Sequence, residues 1–411
     1  MNKLTIFLIY SLLLNACAGG SRSEKQKSDD MATDTLSQYG YNRDFLKKYV
    51  EVIELKKNNS AIATVPAWQG RVMTSTAEGD HGFSFGWINH KLISSGVIQP
   101  HINPFGGEER IWLGPEGGQF SIFFKKGASF VYDDWQTPAF LDTTPYEVIS
   151  RTDSSALFAC DAEAENYSGT LFAFRIEREV TLLTEDEIRK QAGIDPAGLN
   201  VVAYRSANKI INKGSGGWVK ETGLLSVWML GMFTPSPAVV VVIPFNPGDE
   251  KLMGPPVNDN YFGKISADRL KVTGSHIFFR ADGKSRGKLG LPPLRATGIM
   301  GSYDSANNIL TLLICHMPEG KTDYVNSSWQ IQDYPYSGDA LNSYNDGPLE
   351  DGSQMGPFYE LEASSPAAAL KPGEELSHIQ YTLHLVGDTA KLDKVAREVL
   401  GVSLGEIKRA F

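Results

Sequence analysis

Glu360 and Glu362 stand two residues apart in Phe358-Tyr359-Glu360-Leu361-Glu362-Ala363. On a strand this spacing puts both carboxylates on one face, with Tyr359, Leu361 and Ala363 on the other. Two neighbouring carboxylates resist ionising together, which raises one pKa and suits that group to proton transfer. The solvated face of an antiparallel sheet has the same alternation, so the spacing leaves both readings open.

Three other stretches carry groups of comparable use. His101 to Gly118 is crowded with Gly and Pro, which argues against a regular element, yet it holds Arg110, Trp112, Glu108, Glu109 and Glu116. Arg supplies forked donors to vicinal hydroxyls or a uronate, and Trp a flat apolar face for pyranose C–H groups. A structural Arg–Glu pair in a tight connection is the alternative. Upstream, Gly79 to His90 contains His81, a candidate general acid by its near-neutral pKa, and Trp87. Beside Asp80 and Gly82, His81 also reads as an ordinary turn residue. Ser327 to Gly347 holds Trp329, Asp333, Tyr334, Tyr336, Asp339, Asn342, Tyr344, Asn345 and Asp346 with almost no aliphatics. A loop of that length without its own structure is usually functional or disordered, and the aromatics argue against disorder. It reads first as a glycan platform. The second reading is a Ca²⁺ site on Asp339, Asn342, Asn345 and Asp346, although their spacing matches no EF-hand loop. No other cofactor is expected.

The elements that must position these groups are mostly strands. Val50–Leu55, Ser60–Val65, Arg71–Ser75, Phe120–Phe124, Ala156–Ala162, Thr170–Leu182 and Val201–Asn212 have β-branched and aromatic content between turn residues. Val239–Ile243 and Ile309–Cys315 are continuous apolar runs, as strands covered on both faces should be. Short helices are expected at Tyr41–Tyr49 and Glu185–Gln191. The convincing helices are Thr389–Leu400, with Leu392, Val395, Ala396 and Val399 at helical spacing, and Leu404–Phe411. One large β-sandwich with terminal helices is the expected architecture. Two domains meeting near the Asn246–Gly263 loop are the alternative.

The chain has 411 residues with 39 basic and 48 acidic side chains, a formal charge of −9. That balance argues against nucleic acid as a partner, which needs clustered Lys and Arg. Asn2-Lys3, the apolar run Leu4–Leu14 and Leu14-Asn15-Ala16-Cys17 look like a bacterial lipoprotein signal. The run is shorter than the roughly 20 residues of a membrane span. A cleaved signal over 1–17, with Cys17 lipidated, is therefore expected, followed by a flexible tether over 18–35 and the folded domain over 36–411. An ordinary secretory signal with an incidental Cys is the alternative. The lipid anchor would be the chain's membrane contact, in a Gram-negative cell envelope. Cys160 and Cys315 sit in apolar strand-like stretches and are expected free, though an oxidising envelope permits a bridge.

Residues 36–388 resemble the galactose-mutarotase-like β-supersandwich superfamily, and in particular its envelope lipoproteins with a Gly-Gly-x-x-Arg-x-Trp-x-x-Pro-Glu segment, here Gly106–Glu116. The resemblance implies a single antiparallel supersandwich and a carbohydrate partner. Aldose epimerases of that superfamily carry their catalytic Glu on a Leu-Glu-x-Gln strand, and Glu362 is the matching position, with Ser364 in place of the Gln. They also carry a His on a mid-chain strand, whereas Leu224–Leu230 has none. Two functions follow. One is carbohydrate recognition or processing on a concave face with Trp87, Arg110, Trp112, Trp228, Trp329 and Glu362, joined by Glu116, Asp339, Asn345 and Asp346. Its enzymatic form is an epimerase or glycan-cleaving protein using Glu362 with His81 or Asp339. The other is a structural envelope lipoprotein whose loops bind another protein.

Overall fold

The computed structural model describes residues 35–411. The expected signal, Cys17 and the tether up to residue 34 lie outside them. The first strands, β1 (Ile53–Lys57), β2 (Ser60–Val65) and β3 (Arg71–Thr76), form an antiparallel meander. Next come β4 (Arg110–Gly114), β5 (Glu147–Arg151), β6 (Ser155–Glu165), β7 (Leu171–Leu182), β8 (Leu199–Asn212), β9 (Ser226–Phe233) and β10 (Val239–Pro244). The chain continues through β11 (Leu270–Val272), β12 (His276–Arg280), β13 (Gly287–Leu291), β14 (Ile299–Asp304), β15 (Ile309–Cys315), β16 (Leu341–Asn345), β17 (Tyr359–Ser364) and β18 (Glu375–Gly387).

A ten-stranded sheet has the order β11-β12-β10-β14-β15-β18-β8-β7-β6-β5, and a five-stranded sheet the order β13-β16-β17-β9-β4. The two sheets pack face to face. Leu289, Leu341, Leu361, Ala363 and Phe233 of the smaller sheet meet Val239, Val241, Ile243, Phe279 and Leu313 of the larger. Val240, Val242, Leu310 and Leu312 point the other way, onto Leu392, Val395, Ala396 and Leu400 of the C-terminal helix Thr389–Leu400. Helices on one face and a sheet on the other explain the continuous apolar runs of β10 and β15. The helix starts where the Asp388 side chain accepts from Lys391 N–H and ends at Gly401, whose left-handed backbone suits glycine.

Several expectations are corrected. Phe120–Phe124 is not a strand: Phe124 makes only an isolated bridge to Trp135, and its ring serves an aromatic wall described below. Arg110–Gly114 is a strand despite its Gly- and Pro-rich surroundings, because Ile111 and Leu113 are buried. The Ser327–Gly347 stretch is not a continuous loop, since β16 lies within it. The helix expected at Tyr41–Tyr49 spans Tyr39–Leu46, and the one expected at Leu404–Phe411 ends at Lys408. Chain on either side of Asn246–Gly263 enters both sheets, so that loop is no domain boundary. Cys160 and Cys315 are free, and burial pushes the Cys315 thiol up to about 12.

Candidate functional site

The outer face of the five-stranded sheet is built by register. Glu362 pairs across the ladder with Leu230 and Asn342, Glu360 with Met232 and Tyr344, and Arg110 with Leu230. Residues opposite one another share a face. Glu360, Glu362, Arg110, Trp112, Trp228, Asn342, Tyr344 and Lys288 therefore stand together, while their strand neighbours fill the core between the sheets. Strand alternation, read from Glu360 and Glu362 alone, thus extends to the whole face.

Two ion pairs cross it. Arg110 Nη2 donates to Glu360 Oε1 at 3.1 Å. Lys288 Nζ and the Trp228 indole N–H each donate to Glu362 Oε2 at 2.9 Å. Arg110 also lies over the Trp112 ring at 4.6 Å, and Lys288 over Trp228 at 4.8 Å. Burial and the charge of Glu362 push the Glu360 carboxyl above the usual carboxylate range, against the pull of Arg110. Burial draws the Lys288 ammonium down, but Glu362, Glu360 and Glu116 outweigh it and hold it charged. Glu116 lies among Lys288, Glu362, Trp329 and Arg110; burial, with Glu362 adding, pushes it up to about 7.

Aromatic and loop residues close the face. Trp112 meets Trp228 edge-on at 5.6 Å and Phe123 at 5.3 Å. Trp329 stacks on Trp135 at 5.9 Å and meets Phe124 edge-on at 5.1 Å. At the other end Trp87 packs on Phe358 at 4.9 Å, beside Tyr344 and Met232. Glu362 is left 0% exposed, Glu360 4% and Arg110 5%. Beneath this cover Glu362 Oε1, Arg110 Nε and Trp112 Nε1, with Trp135 Nε1 in the cover itself, have no hydrogen-bond partner among the described residues.

The Gly106–Glu116 and Trp329 segments meet here although far apart in sequence. Glu116 N–H donates to Ser327 Oγ at 3.1 Å, and Gln119 and Gln332 exchange two hydrogen bonds, at 2.8 and 2.9 Å. The Gly106–Glu116 carboxylates divide, however. Glu109 forms a fully buried ion pair with Arg178 at 2.7 Å, and Glu108 lies 3.7 Å from His384, both toward the ten-stranded sheet. Only Glu116 reaches the site.

Of the other sequence candidates, Asp339 lies at the edge of this face and the rest fall elsewhere. His81 is exposed and faces Gln38 at 3.4 Å, beside the Arg43–Asp80 ion pair; the structure does not bring it to Glu362. Asn345 points off the face, accepting from Gly283 N–H at 2.9 Å and donating to Ser285 O at 2.8 Å. Asp346 pins a loop, accepting from Tyr344 OH at 2.5 Å and Gly356 N–H at 3.0 Å. Asp339 accepts from Tyr261 OH at 2.5 Å and Asn258 Nδ2 at 3.2 Å. Of the four proposed Ca²⁺ ligands, Asp339 and Asn342 meet on the Tyr261 hydroxyl while Asn345 and Asp346 turn to other partners, and among the described residues no group of three or more His, Cys, Asp and Glu gathers to hold a metal. Lys288, Tyr261, Phe123 and Trp135 were not singled out from sequence. The signal for Lys288 was its place opposite Leu289 and Leu291 in β13 alternation.

Chemically, the face offers a buried carboxylate, a near-neutral acid in Glu116 and fixed N–H donors between aromatic rings. β9, the strand beside Glu362, carries no His, and the indole of Trp228 is no proton donor at accessible pH.

This is a large, mostly antiparallel β protein with two packed sheets and short C-terminal helices, and solved structures similar to it include galactose mutarotase-like proteins. It shares its fold with the Slr1438 protein from Synechocystis sp. PCC 6803, at TM-score 0.50 and 14% identity over 82% of this chain and 96% of that one. A galactose mutarotase-like protein from Lactobacillus casei ATCC 334 aligns at TM-score 0.49 and 11% identity, over 82% of this chain and 100% of that one. A galactose mutarotase related enzyme from Lactobacillus acidophilus aligns at 0.46 and 10%, over 82% and 99%. The chain belongs to the family of unknown function DUF6786, whose model matches residues 37–411. No curated protein matches it.

Proposed function

We propose that this protein is a lipid-anchored cell-envelope protein that recognises or processes carbohydrate on the Glu362 face. The observation that carries the reading is the set of partnerless polar atoms under an aromatic cover: Glu362 Oε1, Arg110 Nε and Trp112 Nε1. Buried polar groups left unpaired cost about 1–3 kcal/mol each, so such a set is expected where a ligand supplies the missing bonds. A pyranose has matching groups, hydroxyls for the carboxylate and guanidinium and C–H faces for the indoles. If chemistry follows binding, Glu362 is the group to accept a proton and Glu116 the one to give it; fold alone does not choose the reaction. The lipid anchor rests on the Leu14–Cys17 motif.

One observation favours the second reading, a structural lipoprotein without sugar chemistry: the ion pairs Arg110–Glu360 and Lys288–Glu362 satisfy much of the face internally. A glycan array probed with the chain lacking residues 1–24 separates the two. Binding to a saccharide, lost on substitution within the face, supports the first; no binding to any glycan supports the second.

A further inference from the structure

Tyr261 holds a position in this face that its own loop does not require. Its hydroxyl donates to Asp339 Oδ2 at 2.5 Å and accepts from Asn342 Nδ2 at 3.2 Å, while its ring lies 5.6 Å from the Lys288 ammonium. An acceptor and a donor meeting on one hydroxyl is the arrangement by which proteins hold a sugar hydroxyl. Asn342 lies directly across the ladder from Glu362, so the paired groups adjoin the carboxylate whose Oε1 lacks a partner among the described residues.

The segment that carries Tyr261 is lightly held. From Gly254 to Gly263 only Val257 packs on the core between the sheets, and partly. Its other attachments are mostly polar: Asn258 exchanges two backbone hydrogen bonds with Gly290, at 2.7 and 2.8 Å, its side chain reaches Asp339, Asp259 pairs with Lys264, and Arg295 donates twice to Gly254 O, at 3.0 and 2.8 Å. Phe262 is 49% exposed, resting on Arg286 at 3.9 Å and meeting Tyr344 edge-on at 5.8 Å as the segment's one ring-to-ring contact among the described residues. Both ends are glycines with positive φ, +76° at Gly254 and +95° at Gly263, and a Cβ at Gly263 would meet nothing within 4 Å. The other rim segment is anchored by rings, Trp329 on Trp135 and Tyr336 on Phe120. Few buried apolar contacts and exposed hydrogen bonds mark the segment that opens first.

We propose that Gly254–Gly263 is a lid over the Glu362 face and that the Tyr261 hydroxyl is a tethered stand-in for a ligand hydroxyl, released when a polyhydroxylated ligand takes its place between Asp339 and Asn342. This rests on the reading of the face as a carbohydrate site. It goes further in naming Asp339 and Asn342 as the pair that binds a ligand hydroxyl and Tyr261 as the group that competes for it. In the closed state Glu362 has no access to solvent, so a ligand reaches it only after part of the cover moves.

The test is amide hydrogen exchange on the wild type and on Tyr261→Phe, without any ligand, taking exchange in 254–263 relative to β10 so that a general loss of stability cancels. Loss of a hydrogen bond to a charged group predicts a ratio about ten- to hundredfold higher in the variant. A ratio unchanged from wild type overturns the lid. A saccharide bound by the wild type is then titrated into both proteins: tighter binding to Tyr261→Phe is the expected result, and equal or weaker binding overturns the stand-in. Failure of every saccharide to bind, with exchange accelerated as expected, sinks the carbohydrate reading while leaving the lid standing.

Discussion

Lys288 Nζ donates to Glu362 Oε2 at 2.9 Å in the middle of a face that excludes water, so neither residue has an environment independent of the other. A carboxylate that served only as a base would leave stability untouched on its loss. The ion pair alters that: removing either charge strands its partner in a buried setting, where desolvation is no longer offset.

Lys288→Met is therefore expected to destabilise the protein by about 3 kcal/mol, the scale for breaking one side of a buried pair. The double variant Lys288→Met with Glu362→Gln should recover most of that loss. Urea unfolding of the wild type, both single variants and the double gives the coupling energy. A double variant no more stable than Lys288→Met would show that the two groups are not paired.

Glu108 gives a pH signature unrelated to the site. Burial pushes its carboxyl up from 4.5 to about 8. Between those values the folded protein holds a proton that the unfolded chain has released, so stability falls as pH rises through that window and levels off above it. Glu108→Gln mimics the protonated acid and removes the dependence. Its advantage should be nil near pH 4.5 and grow to about 5 kcal/mol above pH 8, at about 1.4 kcal/mol per unit. Thermal unfolding of both proteins across that range checks it; parallel curves would mean that Glu108 is ionised when folded.

How much of this was legible in the sequence depended on what each pattern encodes. The alternation around Glu360 and Glu362 fixed their common face because strand geometry has a period of two. The long strands β7 and β8 and the helix Thr389–Leu400 were likewise visible, since each buries a regular stripe. β4 was hidden, as Gly and Pro on both sides mask a strand held in place by Ile111 and Leu113. Phe120–Phe124 misled in the opposite sense: its rings are buried by packing on Trp135 and Trp329, which needs no ladder. Lys288 and Tyr261 were missed because their role comes from strands and loops that meet only in three dimensions. The same is true of the split between Glu108, Glu109 and Glu116, three carboxylates whose directions no composition could give.

The junction between the two polar-aromatic segments can be probed at Gly117. A Cβ there would lie 2.5 Å from Ser328 O and 2.7 Å from Ser327 O, both backbone atoms that cannot swing aside. Gly117→Ala should push the Trp329 loop off its seat, with a loss of about 1–3 kcal/mol as for other overpacked positions. Limited proteolysis should show new cleavage within 326–337, and an unchanged digest would place the loop elsewhere.

Cys17→Ser should release the protein from membranes, because one Cys would carry all the acyl chains and no helix among the described residues is long and apolar enough to cross a bilayer. Detergent phase partitioning of wild type and variant measures this directly. Identical partitioning of the two would exclude Cys17 as the anchor.

The central claim is that the Glu362 face holds carbohydrate, and one measurement reaches it most directly. A saccharide identified on the glycan array is titrated calorimetrically into the wild type, Glu362→Gln and the charge-balanced double variant Lys288→Met with Glu362→Gln, each first shown to be folded by circular dichroism. The account predicts at least a tenfold loss of affinity in both variants, about 1.4 kcal/mol, with the double variant weak although its stability is restored. Wild-type affinity in the folded double variant, or no saccharide bound by the wild type at all, would contradict it.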